Sequence, residues 1–369
     1  MLKILLIRSN HVHPEPKVEK EAKTLGDNGY SVEVLAWDRS GENPESENKE
    51  SYKIKRIKLK ASYGKPELVF KLILWSFYEL IYLIKSDFDI VHAFDLDTLI
   101  PAVIVSKIKN KPLVYDCADF YADSLPENVP TIIRNFIANL EIFFSKFADF
   151  VILVDESRKK QFKNKLKKTI IINNTPMEIS LPKIKPQIKY ENFIIFYAGI
   201  LHENRGLHKL IEATKGINNL KLMIAGYDIG HANLSECLEK AENVTFLGKI
   251  SYEDVIKRTL ESDMTFALYD PKVPNHKYAS PNKLFEAMMC AKPILTNYGT
   301  VMAEIVMNEN CGVLADYENV NDIKNAIIRL KNDLELRKKL GENGLKMYKT
   351  KYNWDIMANR LLNVYKSLT

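Results

Sequence analysis

At 369 residues, with 46% hydrophobic and 27% charged side chains, the chain has the composition of a soluble globular protein and length for two domains rather than one. A formal net charge of +6 suits an anionic ligand or an anionic membrane surface and is too weak to argue for nucleic acid, which is left out of the expected partners. Cys117, Cys237, Cys290 and Cys311 are scattered without metal or redox spacing, which argues against zinc and for reduced thiols in a cytoplasmic protein.

The first residues, Met1–Arg8, are too short for a signal peptide and read as a strand; no run of about 18 apolar residues predicts a spanning helix. The first half then alternates β-rich runs with helical patterns, as βαβ units on a parallel sheet do. Predicted strands are Lys3–Arg8, Ser31–Trp37, Tyr52–Leu59, Ile90–Phe94, Leu113–Asp116, Phe150–Val154 and a short Thr169–Ile172. Glu15–Asn28 carries Val18, Ala22 and Leu25 at helical spacing and stops at Gly29. Arg8-Ser9-Asn10-His11-Val12-His13-Pro14 follows the first strand, so the G-x-G-x-x-G fingerprint is absent; His11 and His13 are candidates to line a cleft. Asp38–Glu50 is polar and predicted to be a mobile loop.

Pro66–Ile84 is the most hydrophobic stretch, interrupted by Lys71, Ser76 and Glu79. A core or interdomain helix and a helix partly exposed to lipid both stay open, the second because its Trp and Tyr favour membrane interfaces. Asn128–Phe147 is a second apolar helix, punctuated by Arg134 and Lys146. Arg158–Lys168 places seven cations in eleven residues, either a solvated face or one lying against anionic lipid. Leu181–Tyr190, rich in Pro and Lys, is the expected interdomain linker. After it the rhythm restarts, with strands at Phe193–Ala198, Lys221–Ala225, Val244–Leu247, Met264–Leu268 and Ile294–Thr296 and helices beginning near Leu207, Asn233, Tyr252, Pro281 and Val301. Val320–Asn332, Leu334–Tyr348 and Trp354–Ser367 close the chain as helices; the last has Ile356, Met357, Leu361, Val364 and Tyr365 on one stripe. Two doubly wound α/β halves with a cleft between them result, with ligands expected at the carboxyl ends of the strands.

One stretch carries chemistry at such an end. Ser280 is expected to cap a helix whose first residue is Pro281. Lys283 then sits at the positive end of the helix dipole, and free N–H groups, the dipole and a lysine together seat an anion. Glu286 shares a face with Lys283 and suits sugar hydroxyls; the plain alternative is an exposed ion pair worth about 0.2–0.5 kcal/mol. Gly199, Gly226 and Gly248 end strands where backbone approaches a ligand, and Arg205 at a helix entrance is a second diphosphate clamp.

The order of Ala198-Gly199, Arg205-Gly206, Ile224-Ala225-Gly226, Val244-Thr245-Phe246-Leu247-Gly248, Ser280–Ala287, Lys292-Pro293 and Gly312-Val313-Leu314 resembles the C-terminal half of family four retaining glycosyltransferases, over roughly residues 190–369. Asp89–Ala93 and Leu113–Asp116 resemble the N-terminal half more loosely. The resemblance implies a GT-B fold of two facing Rossmann-like domains. It implies an acceptor-binding domain over 1–185, a nucleotide-sugar-binding domain over 186–352, and a terminal helix over 353–369 that crosses back to the first domain. It implies a retaining, hexosyltransferase-type enzyme of cell-surface polysaccharide or glycolipid synthesis. The donor would be a nucleotide-sugar, with no further cofactor and no metal, and the acceptor a glycan or lipid-linked sugar. Peripheral contact with an anionic membrane, at the inner face, completes the expected partners.

By position, Glu286 matches the second glutamate of the family's pair, which holds the donor ribose; Arg205 stands for the diphosphate lysine; Gly248, Lys249 and Ile250 match the turn that brackets the nucleobase. Arg205, Lys283 and Glu286 are the expected catalytic set. Gly199, Gly226, Tyr278, Ser280 and Asn282 join the donor side, and His11, His92, Asp95, Asp116 and Asp119 are the acceptor-side candidates. The chain departs from the family at Tyr278, where the first glutamate would fall, at Ile200, where a second basic residue is common, and at Ala118, where a histidine often stands. Lys283 offers the positive charge that Ile200 lacks. Asp95-Leu96-Asp97 is expected to cap a helix, with metal binding as in the GT-A fold the alternative. The rival to an enzyme is a catalytically silent sugar-nucleotide-binding subunit that partners an active transferase.

Overall fold

The structure, a computed structural model, describes residues 1–62, 67–126, 128–178, 192–228, 238 and 241–369. The expected linker at 181–190, the helix expected near Asn233, and Cys237 lie outside these. The chain divides into two units, Met1–Asn173 with Met357–Thr369, and Asn174–Ile356; the first thus ends before the expected boundary at 185.

The first unit holds an eight-stranded sheet: β1 (Lys3–Arg8), β2 (Ser31–Asp38), β3 (Ser46–Asn48), β4 (Tyr52–Lys58), β5 (Ile90–Phe94), β6 (Leu113–Cys117), β7 (Phe150–Leu153) and β8 (Thr169–Ile171), in the order β3-β4-β2-β1-β5-β6-β7-β8. Every pairing is parallel except β3 with β4. Both faces are covered, which is why the strands read as nearly continuous apolar runs. On one face Leu5, Ile7, Trp37, Val91 and Tyr115 pack with Trp75 and Leu83 of the Glu67–Lys85 helix and Leu99 and Ala102 of the Leu96–Lys109 helix. Trp37 and Trp75 stack 5.6 Å apart. Full burial of side chains of this kind contributes about 1.5–3 kcal/mol each.

The strand period of two sends His92 and Asp116 to the other face, beneath the Pro16–Asp27 helix and the end of the chain. There Lys17 meets Asp116 at 2.5 Å, and the Tyr365 hydroxyl lies 2.8 Å from His92 Nδ1. Tyr365 belongs to the Trp354–Leu368 helix, which buries Met357, Leu361 and Val364 as well, while Arg360 donates to the Ile171 carbonyl at 2.9 Å.

The Asp38–Glu50 stretch is ordered, contrary to the expected mobile loop. Fully buried Asp38 accepts N–H bonds from Ser40, Gly41 and Asn43 at 3.2, 3.1 and 2.9 Å. The chain then adds β3 antiparallel to β4, with Arg56 binding Glu47 at 2.8 Å.

The second unit holds β9 (Phe193–Leu201), β10 (Leu220–Asp228), β11 (Val244–Phe246), β12 (Met264–Ala267), β13 (Ile294–Asn297) and β14 (Gly312–Ala315), all parallel, in the order β11-β10-β9-β12-β13-β14. Counted within the unit this is 3-2-1-4-5-6, the doubly wound order whose switch point lies between its first and fourth strands. β12 pairs with β9 only at Met264–Ile195 and Thr265–Phe196, whereas β9 continues beside β10 to Leu201. Beyond Phe196 the two strands part, and a crevice opens at their carboxyl ends.

Candidate functional site

Gly199 and Gly226 stand opposite each other on β9 and β10, at φ 152° and 150°. A Cβ on Gly226 would lie 1.8 Å from the Gly199 carbonyl oxygen, so only glycine lets the two strands close there. A Cβ on Gly199 would lie 3.1 Å from Lys283 Nζ, which places the ammonium directly over this strand end. The next turn, Glu203–Arg205, ends at Gly206, whose φ of 65° starts the Leu207–Thr214 helix. A Cβ there would be 2.6 Å from Leu268 Cβ, so glycine brings Arg205 up against the end of β12.

The Asn282–Met289 helix enters from the other side of the crevice. Pro281 occupies its N-cap position and Asn282 is its first residue, one position later than expected. Ser280 therefore caps nothing: its hydroxyl is buried without a hydrogen-bond partner, as is Asn282 Oδ1. The helix has no acid in its first turn. Two polar atoms without a protein partner at the positive end of a helix offer hydrogen bonds to a ligand.

The cations rest on aromatic faces. Lys283 Nζ lies 3.8 Å from the Tyr197 ring centre and 5.9 Å from that of Tyr269, and the Arg205 guanidinium sits 4.2 Å over Tyr269. Such contacts contribute about 0.5–2 kcal/mol each and hold the charges where they are without a carboxylate. Burial, and then the charge of Arg205, push the Lys283 ammonium down to about 7, with Glu286 pulling the other way. Glu286 is 9% exposed and hydrogen-bonds the Tyr252 phenol, which burial and then Glu286 hold above its ordinary pKa. The pair is thus no solvated ion pair. Tyr278 follows the short Pro274–Lys277 helix and packs against the core beside Leu284 and Phe285.

Four residues here were not singled out from the sequence. Tyr197 and Tyr269 carry the cations. Asn297 fixes Tyr269 by accepting its N–H at 2.8 Å and donating to its carbonyl at 3.0 Å. His276 stacks on Tyr269 at 5.0 Å and donates from Nδ1 to the Asp270 carbonyl; burial, and then Arg205, push its pKa down to about 4. Tyr197, one residue past the last β9–β12 pair, and Tyr269, two residues past β12, sit where the switch-point rule places ligands. Gly248 accepts from the Gly226 N–H at 2.8 Å, exposed Lys249 lies 6.0 Å from the Tyr227 ring, and Ile250 is half-buried.

In the first unit the acceptor-side candidates separate. Asp95 occupies an N-cap position at φ 61°, yet its carboxylate does not cap the helix. It pairs with Arg8 and accepts the Ala118 and Asp119 N–H groups at 3.1 and 3.4 Å, while Asp97 takes the Ser9 hydroxyl. The expected capping is replaced by ties to β1 and the β6 loop. Asp119 is half-exposed and meets Arg158 at 2.9 Å; the His11 side chain is exposed, and its carbonyl accepts from Arg56.

His92 lies in the middle of β5 rather than at its end, and both it and Asp116 are fully buried. Burial, and then Lys17, push His92 down to about 3, so it is neutral. Burial, and then Asp116, hold Glu21 well above the ordinary glutamate value. Glu21, His92 and Asp116 bring ligand-type atoms within 4.8 Å of one another. The Lys17 ammonium already supplies the positive charge that cluster needs, so the residues do not fit a metal ion.

Two Rossmann-like units, the second with paired cations at its switch point, define a protein of the GT-B fold. Residues 181–347 match the family model described as glycosyl transferases group 1, and residues 18–174 match glycosyltransferase family 4. The chain belongs to the family four, group 1 glycosyltransferases. An uncharacterized glycosyltransferase of Methanocaldococcus jannaschii is 30% identical over 243 residues, 62% of this chain and 63% of that protein. The capsular polysaccharide biosynthesis glycosyltransferase CapM of Staphylococcus aureus is 26% identical over 48% of this chain and 47% of its own. The chain thus aligns with less than two thirds of either relative. Sucrose-phosphate synthase from Thermosynechococcus elongatus superposes with a TM-score of 0.83 at 16% identity, over 100% of this chain and 99% of that one. HepE from Anabaena, solved in complex with UDP and glucose, gives 0.71 at 16% identity over 100% of both chains.

Proposed function

We propose that the protein transfers a hexose from a nucleotide-sugar to a glycan or lipid-linked acceptor, with retention of configuration, in cell-surface polysaccharide or glycolipid synthesis. The observation that carries this reading is the convergence of polar groups at the switch point of the second unit. Lys283 and Arg205, the unpaired Ser280 and Asn282 oxygens and a helix N-terminus converge there. A diphosphate takes the cations and the helix end, while buried Glu286 accepts ribose hydroxyls. Gly199 and Gly226 let the backbone come close, and the turn at Gly248, Lys249 and Ile250 brackets the base. The HepE complex with UDP supports the donor class, and the CapM name supports the polysaccharide setting.

Retaining transfer on one face of the sugar asks for little beyond this. The departing phosphate takes the acceptor proton as the new glycosidic bond forms, and the cations stabilise charge developing on the diphosphate. No double-displacement carboxylate is needed, so neither Tyr278 nor Ala118 removes a required group. The test is a panel of UDP- and GDP-sugars. The donor nucleotide raises the melting temperature, Glu286→Ala weakens that rise, and slow donor hydrolysis accompanies binding. Binding with no hydrolysis, whatever acceptor is supplied, turns the conclusion to the silent sugar-nucleotide-binding subunit. No binding of any nucleotide removes both.

A further inference from the structure

Three helices on one face of the first unit's sheet leave apolar surface uncovered. The Glu67–Lys85 helix buries Trp75, Glu79 and Leu83 and turns Phe70, Ile73 and Phe77 outward, each more than half exposed. The Thr131–Ser145 helix exposes Ile132 at 83% and Phe136 at 65%. The Leu96–Lys109 helix packs between these two and exposes Ile108 at 72%. Single exposed apolar residues are ordinary, but a set this large on neighbouring helices marks an interaction surface. A core helix carries one apolar stripe, whereas the first of these carries two on opposite sides.

The exposed charges on and around the patch are predominantly positive. Glu79 and Glu141 point inward and are fully buried, and among the described residues of the three helices Glu67 is the one exposed carboxylate. Lys85, Lys107 and Lys146 are exposed at the helix ends. Lys163 reaches Asn139 of the Thr131–Ser145 helix at 3.1 Å, which brings the exposed Lys165, Lys167 and Lys168 to the same rim. No helix of the described residues is long and apolar enough to cross a membrane.

We propose that this face seats on an anionic lipid bilayer, with the outward apolar side chains in the interface and the 163–168 lysines against lipid phosphates. Apolar insertion plus a basic rim is the two-part signal that interfacial helices use. A second copy is the poorer occupant, because two such faces would set the same uncompensated lysines against each other. The inference stands on the first unit's surface and not on the donor crevice, so it fails separately from the glycosyl-transfer reading. It gives the expected membrane contact a specific surface.

The test is flotation of the full chain with phosphatidylglycerol-rich and with pure phosphatidylcholine vesicles, at low and high salt. The wild-type protein binds the anionic vesicles preferentially and less well at high salt. Phe70→Ser with Phe77→Ser and Phe136→Ser lowers the partition coefficient about tenfold or more at either salt. Lys163→Glu with Lys165→Glu and Lys167→Glu lowers it at low salt, and the deficit narrows at high salt. Nucleotide binding by both variants stays at the wild-type level. If the serine variant fails to fold by circular dichroism, the lysine variant and the dependence on lipid charge decide. Absence of wild-type binding, or binding indifferent to lipid charge, overturns the proposal. So does a dimer in sedimentation that the serine variant breaks while vesicle binding is unchanged, because a second copy then covers the face.

Discussion

Lys283 sets a pH dependence that the donor reading must obey. In the empty site burial and Arg205 hold its pKa down to about 7. A bound diphosphate removes that penalty and returns the group toward the ordinary lysine value of about 10.4. Affinity then follows the fraction of empty sites that already carry the proton, about one half at pH 7 and about one in a hundred at pH 9. The dissociation constant for UDP rises about ten- to fiftyfold over those two units, the lower figure allowing for water at a half-buried ammonium. The sign is fixed because ligand binding takes up a proton, roughly half a proton per site at pH 7. Arg205, Glu286 and the Tyr197 and Tyr269 rings face the ammonium. The terminal phosphate, with a second pKa of about 6, is already a dianion across the window. Calorimetry in buffers of different ionisation enthalpy reads both the affinity and the proton uptake. Lys283→Arg keeps its charge throughout, so its affinity stays flat. Wild-type affinity that is flat from pH 7 to 9, or an arginine variant with the wild-type slope, refutes the reasoning.

Ser280→Ala removes a hydroxyl that bonds nothing in the empty protein. Its melting curve therefore stays within about 0.5 kcal/mol of wild type, while UDP binding weakens by about 1 kcal/mol in the same calorimetry. Gly226→Ala drives a Cβ into the Gly199 carbonyl at 1.8 Å, and urea denaturation shows a loss of about 3 kcal/mol with the donor site impaired. Glu79 is buried without a partner, and burial, then Asp97, raise its pKa well above the ordinary value. The folded chain keeps a proton that the unfolded chain releases from about pH 4.5 upward, so stability falls as pH rises through that window. Glu79→Gln removes that slope, and melting temperatures taken between pH 5 and 8 register the difference.

The βα rhythm was legible because strands covered on both faces leave unbroken apolar runs, and nearly all of those runs became strands. The exceptions obey the same logic. Ser46-Glu47-Asn48 carries no apolar pattern, being an edge strand held by pairing with β4. Gly312–Ala315 was visible as a motif, but a short run that opens on glycine reads as a turn before it reads as a strand. Lys283, Glu286 and Arg205 were readable because a helix entrance fixes their spacing locally. Tyr197 and Tyr269 were not, because an aromatic residue in or beside a strand reads first as core. Asp95 and Asp97 looked like caps because their true partners, Arg8 and Ser9, lie 87 and 88 residues away. His92 sat in a run of five residues with nothing to tell strand middle from strand end, and the cover supplied by Tyr365 comes from the last turns of the chain.

On the proposed glycosyl-transfer reading, the aromatic seats under Lys283 and Arg205 bear on product release. A site whose cations had no other place to rest would cling to a spent nucleoside diphosphate, and its emptying would limit the cycle. Here Tyr197 and Tyr269 take the charges back as the diphosphate leaves, and Lys283 sheds part of its proton near neutral pH. Both exchanges stabilise the ligand-free protein, which loosens the hold on the diphosphate of donor and product alike and keeps the spent nucleotide from being retained.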